Sequence, residues 1–470
     1  MVATLHSLPA SISSSSQTAR LLGFVQGLRW DDLDEEVRAA AKRHLLDTVG
    51  VMVAGGAGDI AGKAEGVIAA LRPAGAVPVA GRRRRADVLD ATWLAGTGAH
   101  GIELDDGYRQ GSVHPGVSVV PALLACAHGR TLSGRALLTA LVAGYETVTA
   151  VARAGHPQMR RRGFHPTGVV GSLGAAMAVG RLLELNAQRL GHALGLAASA
   201  SAGLFAFLGG GADVKRLHAG HAAREGLTAA LMAEAGVEGP PDILEATDGF
   251  FQAFAGVRGA PPPLDLPPQA GFGIADCYIK PYPCCRHLQP AVEALMALRV
   301  SEGLEPGEVE SIAVETYGIA ADHAATGWGD FASAQLSFPF VMALGLKFGS
   351  IELGHFDPAM RASTEIADIC RKVSVVTDPA LDALYPEFRP ARVTLTTSRG
   401  RFVREAREAL GSRLVPLDEA GLLSKFNTLT LPVLGLEAAN LLLDLLLTVE
   451  ALPDVSVLAE AAALSARAPL

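Results

Sequence analysis

Four short segments concentrate titratable residues inside an otherwise apolar sequence. The first runs from His100 through Glu103, Asp105 and Asp106 to His114. It lacks helical or strand periodicity and so reads as a loop, and loops held by a rigid body are favoured places for catalytic groups. Asp105 and Asp106 can orient and polarise histidines. The plain alternative is helix capping with ordinary loop polarity. The second segment is RRGFHPTG, residues 161–168, directly before a Gly/Ala-rich helix. A helix N-terminus presents free N–H groups and a positive end, so His165 there can stay partly neutral and act as a base. The alternative is a capping turn with solvated arginines.

The third segment follows the glycines at 209–211 and carries Lys215, Arg216, His218 and His221. Lys215 and His218 are spaced to share a helix face, with Arg216 pointing elsewhere. The glycines allow close approach to a ligand but form no dinucleotide fingerprint, and a flexible surface loop is the alternative. The fourth is KPYPCCRH, residues 280–287. Its prolines set a turn before a helix starting near His287, and Arg286 can grip a carboxylate with both arms. Adjacent cysteines rarely ligate one ion well, so Cys284 and Cys285 read as small hydrophobes under the loop and no metal is expected.

Together His114, His165, Lys215, Lys280 and Arg286 supply cationic or proton-transferring groups. A chain of net charge −8 that still gathers cations at its loops points to an anionic small molecule. A carboxylate fits better than a phosphate, because no phosphate loop of known type is present. Neither a G-x-S-x-G elbow nor a triad-like serine is apparent. The chemistry that fits is proton abstraction alpha to a carboxylate, with Lys or Arg stabilising the second negative charge in the transition state. His165 leads as base and His114 as acid or orienting partner, and the two roles are interchangeable at this level.

The elements that must position these groups are mostly helical. Of 470 residues, 49% are hydrophobic and only 5% aromatic, with Ala, Leu and Gly dominant, which predicts tight helix packing. Periodicity predicts helices within 17–55 and at 87–100, 133–154, 168–183, 187–206, 219–235, 287–302, 332–347 and 416–450. Strand patterns come late, at 311–317 and 373–376, with a hairpin over 392–403. A Pro-rich linker at 257–268 divides the chain. The expected organisation is a helical domain at 17–268, an α+β lid at 269–408, a helical return at 409–455 and a disordered Ser-rich tail at 1–16. The run Arg82 to Arg85 reads as a solvated turn.

Several classes are disfavoured. The acidic balance argues against nucleic acid. Five scattered cysteines without C-x-x-C argue against a disulfide framework or structural zinc and suit a reducing cytosol. No secretory signal is expected, and the uncharged stretch 193–212 reads as a buried helix running into a glycine loop rather than a membrane span. The expected location is cytoplasmic.

The clusters resemble the MmgE/PrpD family of dehydratases, decarboxylases and epimerases. The likeness runs from about Thr18 to about Glu450 and rests on HGIELDDGYRQGSVHPG, RRGFHPTG, KRLHAGHAA and KPYPCCRH in that order. SGRALLTALVAGYE and PLDEAGLLSKF agree more weakly. The resemblance implies a fold that is mostly α with an α+β lid: a large helical domain formed by both ends of the chain, and a smaller inserted α+β domain. It also implies a homodimer, no cofactor and a site between body and lid. The site residues it implies are Glu103, Asp105, Asp106, His114, His165, Lys215, Lys280 and Tyr317, and Arg286, His287 and His218 are expected to join them in binding substrate. The family often has Asp-x-Asp-Asp-Thr where this chain has Glu103, Leu104, Asp105, Asp106 and Gly107, and Arg109 just beyond is expected to meet a different substrate group. Loss of water from a small di- or tricarboxylate is the expected reaction. Decarboxylation and epimerisation are alternatives that share the carbanion-like step, and a degenerate binding protein is the rival from another class.

Overall fold

A computed structural model describes residues 16–209, 213–266, 268 and 271–464. Residues 1–15 of the tail predicted at 1–16, and Gly210 and Gly211, lie outside the described residues, while Ser16 caps a helix over Gln17–Gly27. The helical body is built from α1 (Glu35–Gly56), α2 (Val88–His100), α3 (Gly116–Ala127), α4 (Gly134–Gly155), α5 (Pro166–Leu182) and α6 (Val214–Glu234). Side chains that accept N–H bonds start several of them: Asp34 caps α1, Asp87 caps α2 and Ser133 caps α4. Helix α4 is buried along nearly its whole length, as its all-round apolar pattern requires. Glu146 is buried within it and accepts from the backbone N–H groups of Gly273 and Ile274, both at 2.9 Å. Burial pushes this carboxyl up to about 7 against those hydrogen bonds.

The inserted region begins with α7 (Gln289–Ser301) and contains β1 (Val309–Thr316), α8 (Phe338–Phe348), β2 (Val373–Thr377), β3 (Ala391–Thr397) and β4 (Gly400–Ala406). The strand order is β2-β1-β3-β4. The β1–β2 pair is parallel, with Val314 opposite Val375, and the β1–β3 and β3–β4 pairs are antiparallel. Ser398 and Arg399 make the expected two-residue hairpin turn. Helices α7 and α8 cover the sheet face that presents Ile312, Val314, Val393 and Leu395. The chain then returns through α9 (Glu419–Leu434) and α10 (Leu436–Leu447), and α9 packs on α1.

Two hydrophobic cores result. One joins residues from Leu21 to Ile279 with residues from Leu417 to Ala462, and the other spans Cys284 to Leu395. The fold is therefore mostly α with an α+β insert, and its helical body draws on both ends of the chain.

Three predicted helices differ from expectation. The 187–206 helix stops at Ser199, and beyond it Gly203, at φ +142, turns the chain to carry Phe205 and Phe207 elsewhere. The 332–347 helix is broken at Ser337, since Pro339 has no N–H to give the preceding turn. The 416–450 helix divides at Gly435, whose φ is +78. Among the described residues no single helix is long and apolar enough to cross a membrane. Two arginines of the 82–85 run are exposed, and Arg82 and Arg85 pair with Glu65 and Glu460.

Helix α6 lies along α5 and crosses α2, and small residues permit that approach. A Cβ at Gly220 would meet the side chain of Thr97 and the carbonyl of Trp93, while one at Gly96 would meet Gly220 Cα at 2.9 Å. G220A is therefore expected to destabilise the protein by about 1–3 kcal/mol, as overpacking of a tight contact does. Denaturant unfolding measures this, and an unchanged midpoint refutes close helix approach as the reason for glycine here.

Candidate active site

A cavity of about 110 Å³ lies where the body faces the insert. Glu103, His114, Arg160, His165 and Lys215 line it from the body, and Lys280, Cys285, Arg286 and His287 from the segment before α7. His323, Tyr385 and Arg389 line it from the insert.

The wall starts where α2 ends at His100. Glu103 then adopts φ +57, a left-handed conformation rare for a residue with a side chain. That turn sets Glu103, Asp105 and Asp106 into three different environments. Gly107 exchanges backbone hydrogen bonds with Tyr278 at 2.8 and 3.0 Å, which ties the first polar segment to the fourth. A Cβ at Gly107 would lie 2.5 Å from Tyr278 Cζ, so the threonine common in the family has no room against this tyrosine.

Asp105 is the hub. Its Oδ2 is 2.7 Å from His100 Nδ1 and 3.1 Å from His114 Nδ1, and its Oδ1 accepts from Lys280 Nζ at 3.2 Å. Lys280 also donates to Glu103 Oε2 at 3.1 Å, and Lys215 pairs with Glu103 Oε1, so one carboxylate sits between two lysines. Asp106 faces away from the cavity. It accepts from Tyr145 Oη at 2.6 Å and Gly116 N at 3.0 Å, and its Oδ2 is 3.0 Å from His44 Nδ1. It anchors the start of α3 rather than touching a ligand.

His165 precedes α5, with its Nδ1 2.9 Å from His218 Nδ1. Its ring stacks on His100 at 5.7 Å and meets the edges of Phe205 and Phe207 at 5.0 and 5.3 Å. The shortened helix after Ala187 is thus explained, because its released chain supplies two rings to the site.

Burial dominates the histidine electrostatics. It pulls His100 and His218 down to about 4, lowers His114 and holds His165 well below the usual range. All four are neutral imidazoles at pH 7. Burial alone would raise Asp105, but His114, Lys280 and His100 hold its carboxyl well below the usual range. Lys280 is raised, because Asp105 outweighs its burial. Burial, with Lys280 close by, pulls the Lys215 ammonium down to about 7.

Some expected site residues have other roles. Arg109, expected to meet substrate, pairs with Glu408 at 2.6 Å and is not among the cavity-lining residues. Arg286 lines the cavity, but its guanidinium already donates to Gln289 Oε1 and to the carbonyls of Leu410 and Ala409 at 2.6–2.8 Å. Tyr317 is fully buried behind His287, with its Oη 2.5 Å from His287 Nδ1. His218 likewise sits behind His165 and not on the wall.

Other lining residues were not singled out in the sequence. Arg160 belonged to a basic run, and its guanidinium lies over the Phe205 ring at 3.8 Å. His156, His323, Tyr385 and Arg389 stand alone in unremarkable segments. Arg389 is 3% exposed, and its Nε has no hydrogen-bond partner. Among the described residues it has no ion pair either, which is unusual for a buried guanidinium. No group of three or more His, Cys, Asp or Glu among the described residues could hold a metal ion.

Comparison with known proteins agrees with these motifs. A family model described as the MmgE/PrpD N-terminal domain matches residues 19–262, and one described as the MmgE/PrpD C-terminal domain matches residues 282–449. Similar curated proteins include a cis-aconitate decarboxylase of Aspergillus terreus, 26% identical over 98% of both chains. Cis-aconitate decarboxylases of Mus musculus and Homo sapiens are each 25% identical, over 94% and 95% of this chain and 92% and 94% of their own.

The Asp105 hub yields a stability prediction. D105N leaves Lys280 and two imidazoles without their shared charge and is expected to cost about 3–5 kcal/mol. Because the folded pKa of Asp105 is depressed, its contribution is fully present above the unfolded value near 3.9 and is lost as pH falls through the folded value. The gap between parent and variant should therefore narrow below about pH 4. Unfolding curves across pH test both points, and a gap that widens in acid contradicts the assignment.

Proposed function

This chain belongs to the MmgE/PrpD family, whose enzymes act on carboxylic acids, and from that premise we propose that it is a lyase releasing CO₂ from a small unsaturated di- or tricarboxylate of the cis-aconitate kind. The observation that carries this reading is the buried Arg389 guanidinium, whose Nε has no hydrogen-bond partner and which makes no ion pair among the described residues, on a wall shared with Lys280, Lys215 and Arg160. Glu408 acts on it only from beyond ion-pair range, and a buried cation without a direct protein partner suits an anionic ligand.

In the proposed reaction the bond to one carboxylate breaks and CO₂ departs. The electron pair moves through the adjacent double bond and gathers on a retained carboxylate as a dienolate. Arg389 and Lys280 hold that carboxylate where charge develops, which lowers the barrier more than it stabilises the ground state. A proton then returns to the carbon alpha to it. Lys215, poised at about 7, suits the donor because a proton donor works best near the operating pH. The relatives named cis-aconitate decarboxylase, matched over 94–98% of this chain, support a decarboxylation as the reaction. The metal-free charge stabilisation, and a homodimer covering the exposed Leu436, Leu441 and Leu447 of α10, belong to the same proposal.

Dehydration is the second reading, and the neutral imidazoles favour it. His165 and His114 are both unprotonated at pH 7, the state that abstracts a proton from a hydroxy acid.

A panel of unsaturated and hydroxy di- and tricarboxylates followed by NMR in D₂O separates the readings. The expected result is CO₂ release with one deuterium entering alpha to a retained carboxylate. Water loss without CO₂ selects the second reading, and no turnover of any member overturns the lyase assignment. Arg389→Met is expected to lower kcat/KM by about 10–100-fold, mainly through kcat, as loss of a charged hydrogen bond that strengthens in the transition state does. Its stability should not fall, since Arg389 has no protein ion pair to lose.

A further inference from the structure

Cys285 and His323 form a pair that the lyase reading leaves unused. Cys285 was expected to be a small hydrophobe, but that describes only its neighbour Cys284, which is fully buried in the core of the insert. Cys285 is partly exposed and lines the cavity. Its backbone N–H donates to Gln335 O at 2.9 Å, which fixes it on the wall. Its Sγ lies 3.8 Å from His323 Nε2. His323 comes from a short turn of the insert, Asp322–Ala325, and its ring stacks on His287 at 6.1 Å.

The groups acting on the thiol come from several elements. They are His323 from the insert, His287 on its own segment, and Lys215 on α6. Asp322 acts on the imidazole of His323, and Tyr317 is near enough to feel the thiolate. Burial alone would raise the Cys285 thiol. The charge and hydrogen bond of His323, the His287 N–H and Lys215 outweigh it and hold the thiol at about 6. Burial would lower His323, and Cys285 raises it instead. Both shifts favour the thiolate–imidazolium form of the pair. Burial pushes the other cysteines the opposite way: Cys126 to about 11, Cys284 and Cys370 to about 12, and Cys277 well above its usual value.

We propose that Cys285 and His323 are a second reactive centre in this cavity, where an α,β-unsaturated carboxylate adds covalently and reversibly to the thiolate and blocks turnover. The inference rests on the reading of the cavity as a carboxylate site. The Sγ lone pair forms a bond to the β-carbon, and the double-bond pair moves to the α-carbon. That carbon takes the proton from His323 Nε2, which leaves a thioether and a neutral imidazole. Nothing is oxidised, and the reverse elimination restores the pair. Lys280 and Arg389 hold the carboxylate of the electrophile as they hold that of the substrate. A thiolate is the nucleophilic form, so the cavity selects the one cysteine able to react and the charge of what reaches it.

The test uses the intact enzyme and two probes, with every cysteine peptide read by mass spectrometry. Neutral iodoacetamide reports on the thiolate alone. Cys285 should label before the other four, with a rate midpoint near pH 6 that His323→Gln moves toward the ordinary thiol range of about 8.5. Maleate, a small unsaturated dicarboxylate, reports on the ligand class. It should form an adduct on Cys285 only, with activity lost in step and regained after the probe is removed. A parent midpoint at or above about 8.5, or adducts spread evenly over the cysteines, overturns the proposal. Labelled Cys285 without a maleate adduct also overturns it. A Cys285 adduct in an enzyme that turns over no carboxylate supports this centre while removing the lyase assignment.

Discussion

A negative charge buried at Asp105 has to be answered from within the protein, because no water reaches it to do so. Three groups answer it, from the end of α2, from the loop before α3 and from the segment before α7. The last is distant in the chain, so the charge couples body to insert at the cavity itself. Once Asp105 is ionised, it orients His100 through Nδ1, lies 3.1 Å from the His114 Nδ1 that the Asp106 carbonyl also holds, and keeps Lys280 an ammonium. The roles of the surrounding side chains depend on that one carboxylate being charged and enclosed.

The cations in and around the cavity fall into three kinds. Arg286 and Arg109 are spent on protein acceptors, carbonyls and Glu408, and brace the walls. Lys215 and Lys280 share Glu103, an arrangement that a ligand carboxylate can enter without leaving either lysine bare. Arg389 and Arg160 make no ion pair among the described residues, and Glu408 acts on Arg389 only from farther off. Braced, shared and open cations give the site a fixed shape with an unfilled electrostatic demand, which is preorganisation in physical terms.

Small residues make such a site possible in a protein with few aromatics. Helices α2, α5 and α6 approach closely through glycines and bring His100, His165 and Lys215 from three helix ends to one place. The few large rings are concentrated where they matter. Phe205 and Phe207 flank His165 and keep it dry, and that dryness holds the imidazole neutral.

Much of this was legible in the sequence alone. Helical periodicity, cap residues and the Ser398–Arg399 turn are local signals, so the mostly helical class, the late strands and the hairpin could be read directly. The polar clusters stood out because charged groups interrupt apolar runs, and His114, His165, Lys215 and Lys280 do meet at one cavity. Helix ends at Ser199, Ser337 and Gly435 were missed, because each falls inside a pattern that still looks periodic. Partnership was not legible at all. Arg109 and Arg286 looked like ligand groups until Glu408 and the 409–410 carbonyls, more than a hundred residues away, were brought beside them. Arg389 and His323 looked like nothing, and Cys285 looked like filler. Residue type and spacing determine which chemistry a chain can attempt, but burial and counter-charge determine which group is free to attempt it, and those depend on neighbours that only the tertiary structure supplies.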